Sequence, residues 1–489
     1  MTKSTRAVSW ALWLILLASV PVTSSPLVAQ FLGYTPVSPL ALLPLSGLAL
    51  IWFIPYLIRR GRLPGLFAPL AVFAAVTLLA AAAAFTLPIF PFKGQTVFSR
   101  EVRALVTLAF GTLFYLTASC LPSTEPRLKA SLRALYLGLG ITLAWSSVQA
   151  AIVLSGAVRV PPGLNQIHRL LSIRDLIARR VVGLAYEPSW LGDQLVVLYL
   201  PLLLGSVIRG VSVLRRWRWL SLELLLLVWC LPILFLTQSR ISLLSLLAMV
   251  SVLLVAAGWR AAGWITDHWA PRLRPLRVVF MLVTLAAIAG AMWSAGWVLS
   301  RVDPRMSRLL LIPSQLAEIR DERPYEVGYE IADRLAFAER VVYWVAGYRV
   351  FEEYPLLGVG LGNSGFFFEK TMPPYGYRLI EVRTALDPAN PNFPNPKALW
   401  IRLLAETGFV GFAAFGTWYL LVGVSAFQLY RSREALARVI ALAALLWFVA
   451  QVAEGFSLDS FALPQLWILP GLLDAAAQMD RAGRPQGTN

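Results

Sequence analysis

Twelve apolar runs follow one another along this 489-residue chain, near 8–29, 38–58, 64–87, 102–121, 131–155, 189–208, 219–236, 240–258, 277–299, 399–424, 436–456 and 462–478. A helix needs roughly 20 mostly apolar residues to cross about 30 Å of hydrocarbon, and most of these runs approach or exceed that length. In lipid every backbone amide has to be satisfied within its own segment, so the runs predict an all-α, polytopic integral membrane protein of about 12 transmembrane helices. Composition agrees: only 14% of residues are charged, against roughly one quarter in soluble domains. The first run follows MTKSTR as a signal peptide would. No A-x-A cleavage pattern comes after it and another span does, so it reads as an uncleaved first helix.

The net charge of +17 would suggest a nucleic-acid partner in a soluble protein. Here it has another explanation, the excess of Lys and Arg in cytoplasmic loops. RRGR (59–62), Arg127 with Lys129 and Arg133, Arg209 with Arg215, Arg216 and Arg218, Arg260 with Arg272, Arg274 and Arg277, and Arg431 with Arg433 and Arg438 all fall on the side of the basic N-terminus. Both termini are therefore expected in the cytoplasm. The chain divides into nine spans over 1–299 with a basic external loop at 156–188, a large external loop at 300–398, three spans over 399–478 and a tail at 479–489. Cys120 and Cys230 lie in or at the end of apolar runs, which suggests neither a disulfide framework nor a thiolate metal site.

Six arginines break the charge rule. Arg159, Arg169, Arg174, Arg179 and Arg180 sit in the basic external loop, and Arg240 in the tight TQSR turn between spans seven and eight. Snorkelling to headgroups accounts for a scattered arginine. A cluster at the membrane surface also suits a lipid-linked pyrophosphate, because guanidinium forks bind phosphate in a bidentate fashion and keep their charge. The apolar spacing of NQIHRLLSIRDLIARR (165–180) predicts a short helix lying in the interface. Glu187 follows, just before Pro188, where Ser189 is placed to cap a helix starting at Trp190. It is a solvated loop carboxylate, a salt-bridge partner of Arg180, or a carboxylate beside a phosphate site, able to take a hydroxyl proton. Asp193 is an ionisable group partly inside the membrane, where such groups are functional candidates by default.

Other motifs carry less. Gly360, Gly362 and Gly365 match G-x-G-x-x-G, but a helix-like segment at 326–352 precedes them and the site lies outside the cytoplasm. A dinucleotide site is rejected, and the glycines are expected to allow tight turns or close approach. His168 and His268 are the only histidines and fall on opposite sides of the membrane, which argues against a His-based metal site or a catalytic triad. No D-x-D occurs. The chemistry is expected to need no metal and no cofactor.

Several segments together resemble the bacterial O-antigen polymerase and O-antigen ligase superfamily. Arg340-x-x-x-Trp344 followed by EEYPLLGVGLGNSGF (352–366) looks like its first signature, and NPKALWIRLLAETGFVGF (395–412) like its second. TQSR (237–240) is similar to its span-seven element and YEPSW (186–190) to its third external loop. The resemblance covers roughly 180–420 and the layout of twelve spans with a large loop after the ninth. It implies a membrane glycosyltransferase similar to the GT-C class, in the bacterial inner membrane with its active site facing the periplasm. Donor and acceptor would be polyprenyl-pyrophosphate-linked oligosaccharides, with a chain-length regulator as a further partner left open. Ligases, which move glycan onto lipid A core, carry a histidine, their suspected base, at the position that counting back from Glu406 gives to Lys397; the NPK form looks more like a polysaccharide polymerase. On this reading Arg180, Arg240 and Arg340 contact pyrophosphate, Glu187 is the base, and Arg174, Arg179, Asp193, Asn395 and Lys397 support binding. A twelve-helix transporter is the alternative from another class. It is disfavoured because the longest loop is external and off-centre and the two halves lack obvious similarity.

Overall fold

A computed structural model describes residues 2–217, 220–268 and 337–483, together with 279, 283, 286 and 290. Most of the ninth expected span, the large loop through residue 336, and the last six residues lie outside this set. Among the described residues the fold is all-helical apart from a two-residue antiparallel pair, Arg216–Trp217 with Leu220–Ser221.

The helices that build the bundle and the site are α1 (Lys3–Ser19), α2 (Leu42–Ile58), α3 (Phe67–Ala84), α4 (Val97–Cys120), α5 (Glu125–Leu154), α6 (Pro162–Arg169), α7 (Pro188–Arg209), α8 (Leu222–Thr237), α9 (Arg240–His268), α10 (Ala338–Glu353), α11 (Ile380–Leu386), α12 (Leu399–Leu429), α13 (Ala435–Glu454) and α14 (Gln465–Gly483), with short helices at Pro26–Leu32 and Phe368–Thr371 besides. A helix stands at eleven of the twelve expected spans. Seven of these are long and apolar enough to cross a membrane. The first differs most: α1 stops at Ser19 because Pro21 cannot continue it, and a turn carries the chain onward.

Alanine-rich α13 is central and packs against α7, α9, α12 and α14. Small residues permit this closeness, since lipid offers no hydrophobic drive between helices and van der Waals contact has to do it. A Cβ on Gly205 of α7 would stand 2.7 Å from Val439 O of α13, and one on Gly471 of α14 would stand 2.6 Å from Tyr115 O of α4. Aromatic rings fill the space among these helices, with Trp418, Trp447, Trp467, Phe415 and Phe461 fully buried.

The large loop is fastened to the bundle where α12 breaks. Gly408 has φ 61° and ψ −169°, values open to glycine and costly for other residues. The amides of Phe409 and Val410 turn outward and donate to Pro355 O (2.8 Å) and Leu356 O (3.3 Å), while Ala405 O and Glu406 O accept from the amides of Val359 and Gly360. Irregular backbone at this depth is tolerable because protein groups satisfy it. The buried carboxylate of Glu406 then accepts from Gly362 N (2.7 Å), Ser364 Oγ (2.8 Å) and Arg402 Nε (2.8 Å). Glycines 360, 362 and 365 thus serve close approach: Gly360, at φ 85°, lies where a Cβ would overlap Glu101 Oε1 and come within 2.8 Å of Ala84 Cβ. Lys93, between α3 and α4, donates to Ala385 O (2.6 Å) and Asn392 O (3.0 Å), tying down the far side of the loop.

Glu406→Ala leaves Arg402 buried without its counter-charge, which costs about 3–5 kcal/mol. Thermal unfolding in detergent should show a clear fall in Tm, and an unchanged Tm would mean that the loop is held by other contacts.

Candidate functional site

The N-terminal ends of α7, α9, α12 and α14 and the C-terminal ends of α8 and α13 meet at one end of the bundle, beneath α10 and α11. The loop RRVVGLAYEPSW is held there by a buried glutamine. Gln149 Oε1 accepts from the amides of Val182 (2.9 Å) and Gly183 (3.0 Å), and its Nε2 donates to Gly183 O (2.9 Å). Thr23 Oγ1 accepts from Tyr186 N. Loops at a membrane surface need such donors and acceptors, because their backbone has no helix partner.

Glu187 is the N-cap of α7, with Pro188 at the first helical position, two residues earlier than the expected Ser189 cap; Ser189 Oγ instead donates to Glu187 Oε2 at 3.3 Å. The partner of Glu187 is Arg174 (Nη1–Oε1 2.6 Å), not Arg180. Arg174 also lies 5.1 Å from the Tyr186 ring centroid. The short helix spans 162–169, so only 165–169 of the expected 165–180 is helical. Asn165 Oδ1 accepts from Leu176 N, Ile173 N donates to Ser24 O, and Arg169 grips Asp175 through two bonds of 2.6 and 2.7 Å, so the chain folds back on itself instead. His168 is buried and accepts from Trp145 Nε1, and burial pushes its imidazole down to about 4. It is a neutral packing residue.

Arg180 donates to Thr237 O (2.8 Å) and Gln238 O (3.2 Å), and Gln238 Nε2 donates to Arg179 O (3.3 Å). The arginine pair is thereby stitched to the TQSR turn, and Arg240 opens α9 directly after it. Gly192 lets α7 close against the start of α9, where a Cβ would overlap Ser242 Oγ. YEPSW and TQSR are neighbours for this reason. Asp193 is buried and accepts from Gln465 Nε2 at 2.7 Å.

Arg340, on the first turn of α10, reaches down and donates to Ser457 O (2.9 Å) and Lys397 O (3.4 Å). Burial lowers its basicity, while Glu187, Glu454, Glu381 and Asp459 act in the opposite sense. Arg340 is therefore where the α10 segment, the loop before α12, the α13–α14 turn and the Glu187 loop converge. Asn395 Oδ1 accepts from Lys397 N, and Lys397 takes a left-handed φ of 53°, a conformation non-glycine residues keep where surrounding structure imposes it. Lys397 forms an ion pair with Glu381 and sits 4.3 Å from the Tyr343 ring centroid. The aromatic side chains of the large loop mostly pack: Phe366 against Phe393, Phe367 against Tyr354 and Phe368 against Tyr343, whereas Tyr377 is exposed.

Glu187, Arg174, Arg340, Asn395 and Lys397 thus share one site, and Arg179, Arg180 and Arg240 adjoin it across the 237–240 turn. Glu454, Glu381 and Asp459 are additions. Glu454 was detectable as a carboxylate at the end of an apolar run; Glu381 and Asp459 gave no signal. A pocket of about 20 Å³, room for one water, lies below between Asp193, Gln451, Asp459 and Gln465. A cavity of about 840 Å³ opens at the opposite end of the bundle, lined in part by Glu125, Arg431, Arg433 and Asp480.

Residues 225–416 match the family model described as O-antigen ligase, in agreement with the resemblance to the O-antigen polymerase and ligase superfamily. The match takes in the TQSR turn, Arg340, Lys397 and the break at Gly408, and leaves Glu187 and Glu454 outside. No curated protein matches the chain.

Removing both Arg180 donor bonds frees the loop it holds. At about 1.5 kcal/mol or more for a charged hydrogen bond, Arg180→Ala should raise amide exchange at Val181 and Gly183 about tenfold. Unaltered exchange would mean that Gln149 alone holds the loop.

Proposed function

We propose that this protein, with an O-antigen ligase family domain at 225–416, is a membrane polysaccharide polymerase. It joins polyprenyl-pyrophosphate-linked repeat units, of O-antigen or exopolysaccharide type, on the periplasmic face of the bacterial inner membrane, with both termini in the cytoplasm. The observation that carries this reading is the convergence of Arg174, Arg340 and Lys397 with Glu187 at one end of an apolar bundle. A pyrophosphate at that depth keeps its lipid in the bilayer and its sugar under the large loop.

The cations do most of the work. As the anomeric carbon–oxygen bond breaks, charge develops on the pyrophosphate. Preorganised donors aimed at developing charge are usually the largest contribution to such a rate. Arg340, Arg180 and Arg240 supply fixed charge, with Arg174, Arg179 and Lys397 beside them. Arg174 now neutralises Glu187; an arriving phosphate competes for Arg174 and leaves Glu187 able to accept the acceptor's hydroxyl proton. Asn395 and Asp193 act through neighbours, Asn395 by shaping the Lys397 turn and Asp193 by fixing Gln465.

A ligase transferring glycan to lipid A core is the second reading, favoured by the description of the matched family. Against it stands Lys397, where the ligases resembled in sequence carry histidine.

Glu187→Gln keeps the shape and hydrogen-bonding reach of the side chain. It should lower turnover by 10²-fold or more, the range for a general base, with donor binding within a few-fold of wild type. Arg340→Lys, which loses the planar fork, should weaken donor binding as well as turnover. Single-turnover transfer and equilibrium binding of labelled donor separate the two effects. Unchanged turnover by Glu187→Gln would remove Glu187 from the mechanism.

A further inference from the structure

Arg209 ends α7, about 30 Å from Glu187 at the other end of the same helix. It lies on the face that the charge rule assigns to the cytoplasm. An arginine at the rim of a membrane helix ordinarily snorkels, with its stem in lipid and its charged head in water. Arg209 does the reverse: its Nε and Nη2 are shut off from water and have no hydrogen-bond partner. Nor do they turn back onto the carbonyls of their own helix end, as basic side chains there often do. Arg216 takes that place, donating from Nη1 to Gly210 O at 2.9 Å.

What Arg209 meets is a ring. Its Cζ lies 4.0 Å from the centroid of Tyr430, the residue that caps α12. Arg260 of α9 comes to the same tyrosine, where its Nη2 donates to Tyr430 Oη and its Cζ is 5.9 Å from the ring centroid. An aromatic face attracts a cation, but two guanidiniums brought to one ring repel each other. Among the described residues neither forms an ion pair with a carboxylate. Two cations from two helices therefore converge on a third helix with no protein anion between them.

We propose that Arg209 and Arg260, meeting on Tyr430, bind the phosphodiester of an anionic phospholipid. The Nε–Nη2 edge of a guanidinium is the fork that holds two oxygens of one anion at once. Arg169 grips Asp175 with this edge, and in Arg209 it is the edge without a partner. Arg260 is exposed and Arg209 half-buried as a whole. An incoming phosphate meets Arg260 first, and rotation about the last torsions of Arg209 brings its fork to the same anion.

A lipid suits the place better than a free phosphate. Ile208 beside Arg209, Trp259 beside Arg260, and Val424 and Phe427 near the end of α12 are each about half exposed. An acyl chain can lie along such side chains while its phosphate stays with the arginines, and aromatic rings are typical of this depth. Basic pockets between spanning helices are the general form of a headgroup site. The pocket also ties together α7, α9 and α12, whose opposite ends carry Glu187, Arg240 and the Glu406 joint. The lipid acts on the bundle without touching any reacting atom, so this assignment stands apart from the polymerase reading.

The experiment gives full-length protein in neutral detergent equal amounts of phosphatidylglycerol and phosphatidylcholine with the same acyl chains. Bound lipid is counted by native mass spectrometry. Wild type should retain phosphatidylglycerol about tenfold or more over phosphatidylcholine, the scale of a charge-assisted hydrogen bond. Arg209→Gln with Arg260→Gln should bring this preference to parity. Arg59→Gln with Arg60→Gln removes the same charge from an exposed turn and should leave the preference unchanged. Arg209→Lys with Arg260→Lys keeps the charge and loses the fork, so it should lose most of the preference, and it serves as the test if the glutamine pair does not fold. Neither inorganic phosphate nor glycerol 3-phosphate should displace the bound lipid; displacement by either would overturn the lipid assignment in favour of a soluble phosphate. No preference in wild type, or a preference retained in full by either folded Arg209 and Arg260 pair, would overturn the site.

Discussion

One buried carboxylate carries the connection between the two halves of the site. Glu406, itself buried, receives Arg402 from its own helix and Gly362 and Ser364 from the large loop. A buried charge is tolerable only when paired and fully hydrogen-bonded, so the loop has one position in which it can sit. The break at Gly408 supplies the backbone groups that complete the joint. Two segments that look like separate signatures in the sequence, 352–366 and 395–412, are the two sides of this single contact.

From that joint the rest of the site is placed. Fixing the loop sets the start of α10, so Arg340 reaches down to Ser457 and Lys397. On the membrane side Gln149 and Arg180 hold the Glu187 loop and the 237–240 turn in register. Glu187 pairs with Arg174 and Glu381 with Lys397, while Arg340 lies in the field of Glu187, Glu454, Glu381 and Asp459. Such an arrangement suits an anion that arrives with its own charge. An empty site can then be electrostatically satisfied without being closed to substrate.

The bundle was legible because its cause is local: runs of apolar residues predict helices whatever their neighbours, and eleven of the twelve were found at or near their expected places. Boundaries failed where tertiary contacts intervened. Residues 170–180 have helical apolar spacing, yet Asn165, Arg169 and the Ser24 carbonyl outcompete the helix for that backbone. Arg174 and Glu187, marked by the clustered external charges, and Arg340 and Lys397, marked by the resemblance, do meet. The pairing of Glu187 with Arg174, thirteen residues away, was missed in favour of Arg180, since a coil's path is not written in its spacing. Glu381 and Asp459 were invisible for a similar reason. Single acids in polar stretches become distinctive only when the fold sets them against Lys397 and Arg340.

The central claim is that this chain extends a lipid-linked glycan without help from lipid A core. Purified protein given only its polyprenyl-pyrophosphate repeat unit, with products resolved by length, tests it most directly. The account predicts a ladder of products differing by whole repeat units. No ladder, with a single transfer once lipid A core is supplied, would contradict it and make the protein a ligase that works without a loop histidine.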